Sequence, residues 1–262
     1  MFRSLTSAGA GMVAQQQNLD VIANNLANVN TTGFKQQAAE FQDLMYATYR
    51  ASGAANAGSV SAPEPVQVGT GSRLAATANS FRQGPLQATG NVLDLAIMGD
   101  GFFSLERPDG TTAYTRDGTF KMDANGLLVT NDGMSVSPNI TIPTGATAIT
   151  ISNTGALSAI LPGSNQPTTL GTLRLTMFAN PAGLTRVGQN LYLPGGASGD
   201  PQEVEPGQSG SGLIQSGFTE GSNVQIVDEM VRMITAQRAY EINSKAIQTA
   251  DDMLGVLVTL KR

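Results

Sequence analysis

Apolar residues recur every seven positions at both ends of the chain and every two positions over much of its middle. Near the N-terminus Leu5, Met12, Leu19 and Leu26 form one row, with Ala8, Ile22 and Val29 three positions after members of it. Toward the C-terminus Ile226, Met233, Tyr240, Ile247 and Leu254 repeat the spacing, and Ala236, Ala250 and Leu257 extend the same stripe. A seven-residue repeat makes a seam for another helix. Each terminal seam has the other as its natural partner. The pattern predicts an α+β fold, with N- and C-terminal helices paired as a coiled-coil hairpin and an all-β antiparallel domain inserted between them.

The first helix is expected over residues 5–29. It should stop at Asn30, Thr31, Thr32 and Gly33, with Gly33 supplying the left-handed C-terminal cap. Gln15 falls on the apolar row and reads as a tolerated polar contact, the alternative being a residue that sets the register. Phe41, Leu44 and Met45 group as on one helix face, which predicts a second helix over 34–49. Residues 51–65 are mostly Ala, Gly, Ser, Asn and Pro and read as a loop or extended arm.

The period then changes to two. Leu93, Leu95 and Ile97 alternate with Asp94, Ala96 and Met98. Turn dipeptides follow at Asp100-Gly101, Asp109-Gly110, Asp117-Gly118, Asn125-Gly126 and Asp132-Gly133, leaving short strands of an antiparallel meander between them. Alternation returns at Ile149 and Ile151 and at Leu173, Leu175 and Met177. After a Gly/Ser/Pro-rich stretch at 195–212 the last helix should open at Ser222 or Asn223 as its cap, with Asp228 and Glu229 in its early turns. The expected organisation is a discontinuous helical domain (1–33 and 222–262), a connecting arm (34–75 and 205–221) and an outer β-domain (76–204).

Composition narrows the function classes. Twenty acidic against fifteen basic residues give a net charge of −5, which disfavours a nucleic-acid partner. There is no Cys and no His, which removes disulfides, thiolate chemistry, the commonest general base and most transition-metal sites. No apolar run has the length of a membrane span, and the N-terminus lacks the continuous apolar region of a cleaved signal. Catalysis would have to rest on carboxylates, as in a cell-wall glycan hydrolase using Asp94, Asp100, Asp109 or Asp117. Those residues stand beside turn glycines or in alternating strand pattern, where Asp serves the backbone. Gly69-Thr70-Gly71 and Gly99-Asp100-Gly101 lack the third glycine of a dinucleotide site. Asp251-Asp252 reads as a polar face. No catalytic, cofactor-binding or metal residue is expected, no cofactor, and no small-molecule substrate. A binding module with a coiled-coil stalk fits poorly, because the heptads are split between the ends.

Several segments carry a resemblance. Ala23-Asn24-Asn25-Leu26-Ala27-Asn28 with Thr31-Thr32-Gly33-Phe34-Lys35 resembles the N-terminal signature of the bacterial flagellar rod and hook proteins. Asp94 to Ile97 with Gly101-Phe102-Phe103, Tyr114-Thr115-Arg116-Asp117-Gly118, and Gly126 to Thr130 are similar to that family's β-domain. Gln237-Arg238-Ala239-Tyr240-Glu241-Ile242-Asn243-Ser244-Lys245 is similar to its C-terminal helix motif. Within the family the chain is most similar to the distal-rod type, by the stretch between Met45 and Val68 and by Asn190-Leu191-Tyr192-Leu193. The alternative is a proximal-rod or short hook-like subunit.

The resemblance implies a non-enzymatic structural subunit that self-assembles into a rigid helical tube. Such a tube would surround an export channel and transmit motor torque to the hook. It implies an assembly seam of Leu5, Met12, Leu19, Ile22, Leu26, Ile226, Met233, Tyr240, Ile247 and Leu254. The family motif would rest on Asn24, Asn25, Leu26, Asn28, Gly33, Phe34, Arg238, Tyr240 and Asn243. The implied partners are further copies of the chain, proximal rod and hook proteins, the surrounding peptidoglycan-layer and outer-membrane bushing rings, and the flagellar export apparatus. The implied location is the periplasm-spanning rod of the basal body, reached without a cleaved signal peptide.

Overall fold

Two long helices frame the chain in the computed structural model, which describes residues 2–50, 64–163 and 166–260. Helix α1 spans Phe2–Ala27 and helix α2 spans Ile226–Leu260. They pack along one another as the two seams predict. Everything described between them is strand, turn or a short 3₁₀ segment. The side chain of Leu257 and most of the expected arm, residues 51–63, lie outside the described residues.

The chain divides into two compact units. One comprises Met1–Ala27, Gln37–Ala78 and Gln225–Arg262; the other comprises Asn28–Gln36 and Asn79–Val224. This division differs from the expected one. Residues 28–36 go with the β-rich unit, as does 205–221, while 37–78 goes with the helices.

In the helical unit, strands β1 (Gln37–Asp43) and β2 (Tyr46–Arg50) stand where a helix was expected over 34–49, and β3 (Val66–Gly69) and β4 (Ser72–Asn79) follow. β1 pairs with β4, and β2 pairs antiparallel with β3, Tyr46 opposite Gly69 and Ala47 opposite Val68. The grouping of Phe41, Leu44 and Met45 misled because it marks no buried face: Met45 is 87% exposed and Phe41 39%. Pairing with strands farther along the chain decides the local conformation, and local periodicity cannot report it.

The β-rich unit holds a seven-stranded sheet among the described residues. Its spatial order is Thr185–Gly188, Leu191–Leu193, Thr112–Thr115, Phe103–Glu106, Ser135–Val136, Leu128–Val129 and Lys121–Met122. Ala148–Ile151, Ala156–Ile160 and Thr168–Thr172 form a second antiparallel sheet. Shorter pairs join Leu95–Met98 to Leu213–Ser216 and Leu86–Ala88 to Phe218–Glu220. Leu95, Ile97, Phe103, Leu105, Leu157, Leu173, Leu175 and Ile214 are fully buried and make the main core. Leu95, Ala96 and Ile97 are buried in succession, so this strand is covered on both faces rather than alternating.

Four of the five expected turn glycines take positive φ, at Gly101, Gly110, Gly126 and Gly133. Gly118 does not. A Cβ there would sit 1.6 Å from the Leu95 carbonyl oxygen, so close backbone approach requires glycine at this position.

Candidate assembly site

The helical unit is pinned by small and polar residues rather than by its largest ones. Ala14, Ile22, Ala236 and Ala250 are buried to 3% exposure, and small side chains at such positions let two helices come close. Asn25, fully buried, donates from Nδ2 to the Gln37 carbonyl (2.7 Å) and accepts from the Gln37 N–H (2.9 Å). It thereby pairs with the first residue of β1 as another strand would. The same Nδ2 also reaches Glu229 Oε2 at 3.4 Å, and Glu229 is itself fully buried in the first turns of α2. Two heptads away on each helix, Gly11 stands at Asn243: a Cβ at Gly11 would lie 3.0 Å from Asn243 Nδ2. These two levels fix α1 and α2 as antiparallel and set their register.

The predicted seam residues fall into three groups. Ile22 is buried; Leu5, Met12, Leu19, Leu26, Met233, Ile247 and Leu254 are half-buried. Ile226 and Tyr240 are exposed, at 48% and 41%. Of the motif residues, Asn24 is exposed, and Arg238 pairs on the surface with Glu241 at 3.0 Å. Ser222 and Asn223 do not cap α2, whose first residue is Ile226. Ser222 Oγ accepts instead from the Val224 N–H, and the Asn223 side chain donates to the carbonyls of Ser80 and Arg82 and accepts from the Gln36 N–H.

The rest of the N-terminal motif works inside the β-rich unit. Thr31 Oγ1 lies 3.1 Å from Asn28 Oδ1, closing a turn. Gly33 is six residues past the end of α1, too far to be its cap. Its φ is +66°, and a Cβ would meet the Asp117 nitrogen at 2.6 Å. The same residue donates to the Glu220 carbonyl at 2.8 Å. Asn190 Nδ2 donates to the Thr32 carbonyl, and Arg186 lies over the buried Phe34 ring while donating to the Lys35 carbonyl.

At the centre of this strap is a buried ionic cluster that the sequence reading did not single out. Lys35 Nζ donates to Glu220 Oε1 at 2.6 Å and to the Arg82 carbonyl at 2.9 Å. Arg116 Nη1 stands 3.5 Å from the other Glu220 oxygen. All three side chains are at most 2% exposed. Burial pushes the Lys35 ammonium down from its ordinary range, opposed by the Glu220 charge; burial acts likewise on Arg116, opposed by Glu220 and Asp100. Lys35 and Arg116 both sit in segments that carry the family resemblance, which was the available signal. Charged side chains are ordinarily read as surface, and nothing in the spacing brings Glu220 to them.

Three of the four aspartates weighed for catalysis serve turns. Asp109 accepts from the Thr111 N–H, Asp117 from the Thr119 N–H and hydroxyl, and Asp94 from Asn91. No cluster of three metal-ligating side chains occurs among the described residues.

Known proteins match this sequence along its length. Residues 5–35 match the model described as flagella basal body rod protein. Residues 96–159 match the flagellar hook protein FlgE/F/G D1 domain, and 215–260 the flagellar basal body rod FlgEFG protein C-terminal model. The flagellar basal-body rod protein FlgG of Borreliella burgdorferi is 50% identical over the whole of both chains. The chain belongs to the flagellar basal-body rod protein FlgG family. The FlgG of Buchnera aphidicola is 47% identical over 99% of this chain and all of its own. The flagellar hook protein FlgE of Helicobacter mustelae is also 47% identical, but only over 52% of this chain and 30% of that one. Full-length agreement therefore lies with FlgG. As a member of that family the chain is a structural component of the flagellar basal-body rod, not an enzyme.

Proposed function

We propose that this chain is a subunit of the distal rod. Copies of it self-assemble into a rigid helical tube around an export channel and transmit motor torque to the hook. The observation that carries the reading is a second apolar face on α2. Val227, Val231 and Ile234 follow helical spacing and are 73%, 55% and 54% exposed, and Met253 and Val256 continue exposed apolar positions near the far end. A helix already engaged on one side, with large apolar residues uncovered on another, needs cover from further chains in water. The β2–β3 ribbon supports the same reading, since Tyr46, Tyr49, Val66 and Val68 are all exposed and available for lateral contacts.

The further partners in this proposal are proximal rod and hook proteins, the bushing rings and the export apparatus. Transit would proceed without a cleaved signal peptide. The discriminating variant is Ile234→Asp, because Ile234 is exposed within one chain and the change costs the monomer little. The expected result is an unchanged unfolding midpoint together with absence from purified basal bodies and loss of motility. Normal incorporation of Ile234→Asp would sink the assembly role of this face.

A further inference from the structure

Residues 133–173 contain no Asp, Glu, Lys or Arg, although fifteen basic and twenty acidic residues stand elsewhere in the chain. This charge-free stretch includes all three strands of the second sheet. Their order among the described residues is Ala148–Ile151, Ala156–Ile160, Thr168–Thr172, so the first and the third are edges. An edge strand offers unpaired N–H and C=O groups, and proteins blunt it with charge, Pro or a bulge. The Thr168–Thr172 edge has Pro167 immediately before it, and its register to the central strand shifts at Leu157/Ser158. The Ala148–Ile151 edge has none of the three. Its register to Ala156–Ile160 is unbroken, and Thr147, Ala148 and Thr150 are exposed.

The hairpin fixes which groups face outward. The Ser152 N–H donates to the Ala156 carbonyl at 2.9 Å, and ladder bonds alternate from there. Thr150 therefore bonds toward Ser158, opposite it, while the N–H and C=O of Ile149 and Ile151 point to the open edge. The Ile149 and Ile151 side chains pack on the core, and Thr150 lies on the solvent face. The strand is self-complementary about Thr150. A second copy laid antiparallel brings Ile151 opposite Ile149 as hydrogen-bonded pairs and Thr150 opposite Thr150 as the closer, non-bonded pair.

We propose that two copies of the chain pair through this edge, Ala148–Ile151 against Ala148–Ile151, and continue the sheet across a two-fold axis. Two features commit the edge to a second copy. The register matches itself, with the isoleucines on the core face of both halves. A chain of net charge −5 also meets its like here with no charge on the paired strands to oppose it. Such a contact uses the same patch on both partners, so it closes on itself and yields pairs rather than a filament. It is separate from the α2 face of the assembly reading and belongs to the chain apart from the rod.

The test exploits a chain without cysteine. Thr150→Cys and Ala148→Cys are made singly in the purified full chain carrying Ile234→Asp, which removes association through α2, and are treated with diamide. Thr150→Cys should give a disulfide-linked dimer on non-reducing gels, because facing Cα atoms about 4.5 Å apart suit a disulfide. Ala148→Cys should give roughly tenfold less, because its mate in the other copy lies four residues along the ladder, about 13 Å away. Equal crosslinking of the two, or none at Thr150→Cys, overturns the pairing. Sedimentation velocity against concentration supplies a second measure. Thr150→Lys places a charge on an exposed position, so it should leave the unfolding midpoint in place and shift the Ile234→Asp chain toward monomer. Association indifferent to Thr150→Lys, or an Ile234→Asp chain that is monomeric at every concentration, overturns the second copy as the occupant of this edge.

Discussion

Lys35 Nζ and Glu220 Oε1 meet at 2.6 Å with both side chains fully buried, across 185 residues of sequence. The charge count of their cluster orders the effects of substitution. Glu220→Gln leaves Lys35 and Arg116 buried without a counter-charge and should cost about 3–5 kcal/mol. Lys35→Met leaves a neutral Arg116–Glu220 pair and should cost less, roughly 1–3 kcal/mol. Urea unfolding of the two variants checks the order; a reversed order would mean that the ion pair does not govern this strap.

Burial sets the sign of the pH dependence. The folded-state pKa of Lys35 lies below the ordinary 10.5, so between those two values the unfolded chain binds more protons than the folded one. The contribution of Lys35 to stability therefore rises with pH across that window and is flat below it. The stability gap between wild type and Lys35→Met should widen as pH approaches 10.5. A gap that narrows would show that pairing with Glu220 outweighs burial.

Two glycines separate the two reasons for having one. Gly110 has φ of +78° with open space around it, and Gly118 lacks positive φ but faces the Leu95 carbonyl. Gly110→Ala should cost on the order of 1–2 kcal/mol, the left-handed penalty for an L-residue. Gly118→Ala should cost roughly 3 kcal/mol or more, because backbone must move. Thermal melts of the two variants, side by side, decide whether close approach or φ dominates.

Asn25 is expected to be sensitive to charge. Asn25→Asp places a second carboxylate at Glu229 and loses the donor to the Gln37 carbonyl, and should cost about 3 kcal/mol or more. Asn25→Asp combined with Glu229→Gln should recover part of that loss, since one donor and one charge are restored to the site. Additive losses in the double variant would mean that the two side chains do not act as a pair.

Limited proteolysis should distinguish the units. A resistant fragment is expected to begin near Asn28 and end near Val224, because residues 28–36 are held by Glu220, Asn190, Arg186 and Asn223. Cleavage that releases Gly33 to Lys35 before the β-rich core is attacked would contradict the strap.

The parts legible in the sequence were those specified locally or by regular period. The heptads at Leu5 and Ile226 gave both helices, and the Asp-Gly and Asn-Gly pairs gave most of the meander. The parts that were not legible depend on partners distant in the chain. β1 and β2 follow from β4 and β3, and Phe41, Leu44 and Met45 happened to mimic a helical face. Asn223 has good cap chemistry but spends it on Gln36, Ser80 and Arg82. Lys35, Arg116 and Glu220 carry no periodic signal, and their burial reverses the usual rule for charged residues.

The strap also dictates an order of events for a chain that emerges from its N-terminus. Lys35 is present long before Glu220, and Gly33 before the carbonyl it bonds, so the β-rich unit must join its earliest residues to nearly its last. Loop closure over such a span is slow relative to local turns. The hairpins around Asp109 and Asn125 can form early, but the unit closes only when the strand at Phe218–Glu220 arrives. A truncated chain ending before Glu220 would therefore be an unlatched fold, not a smaller one.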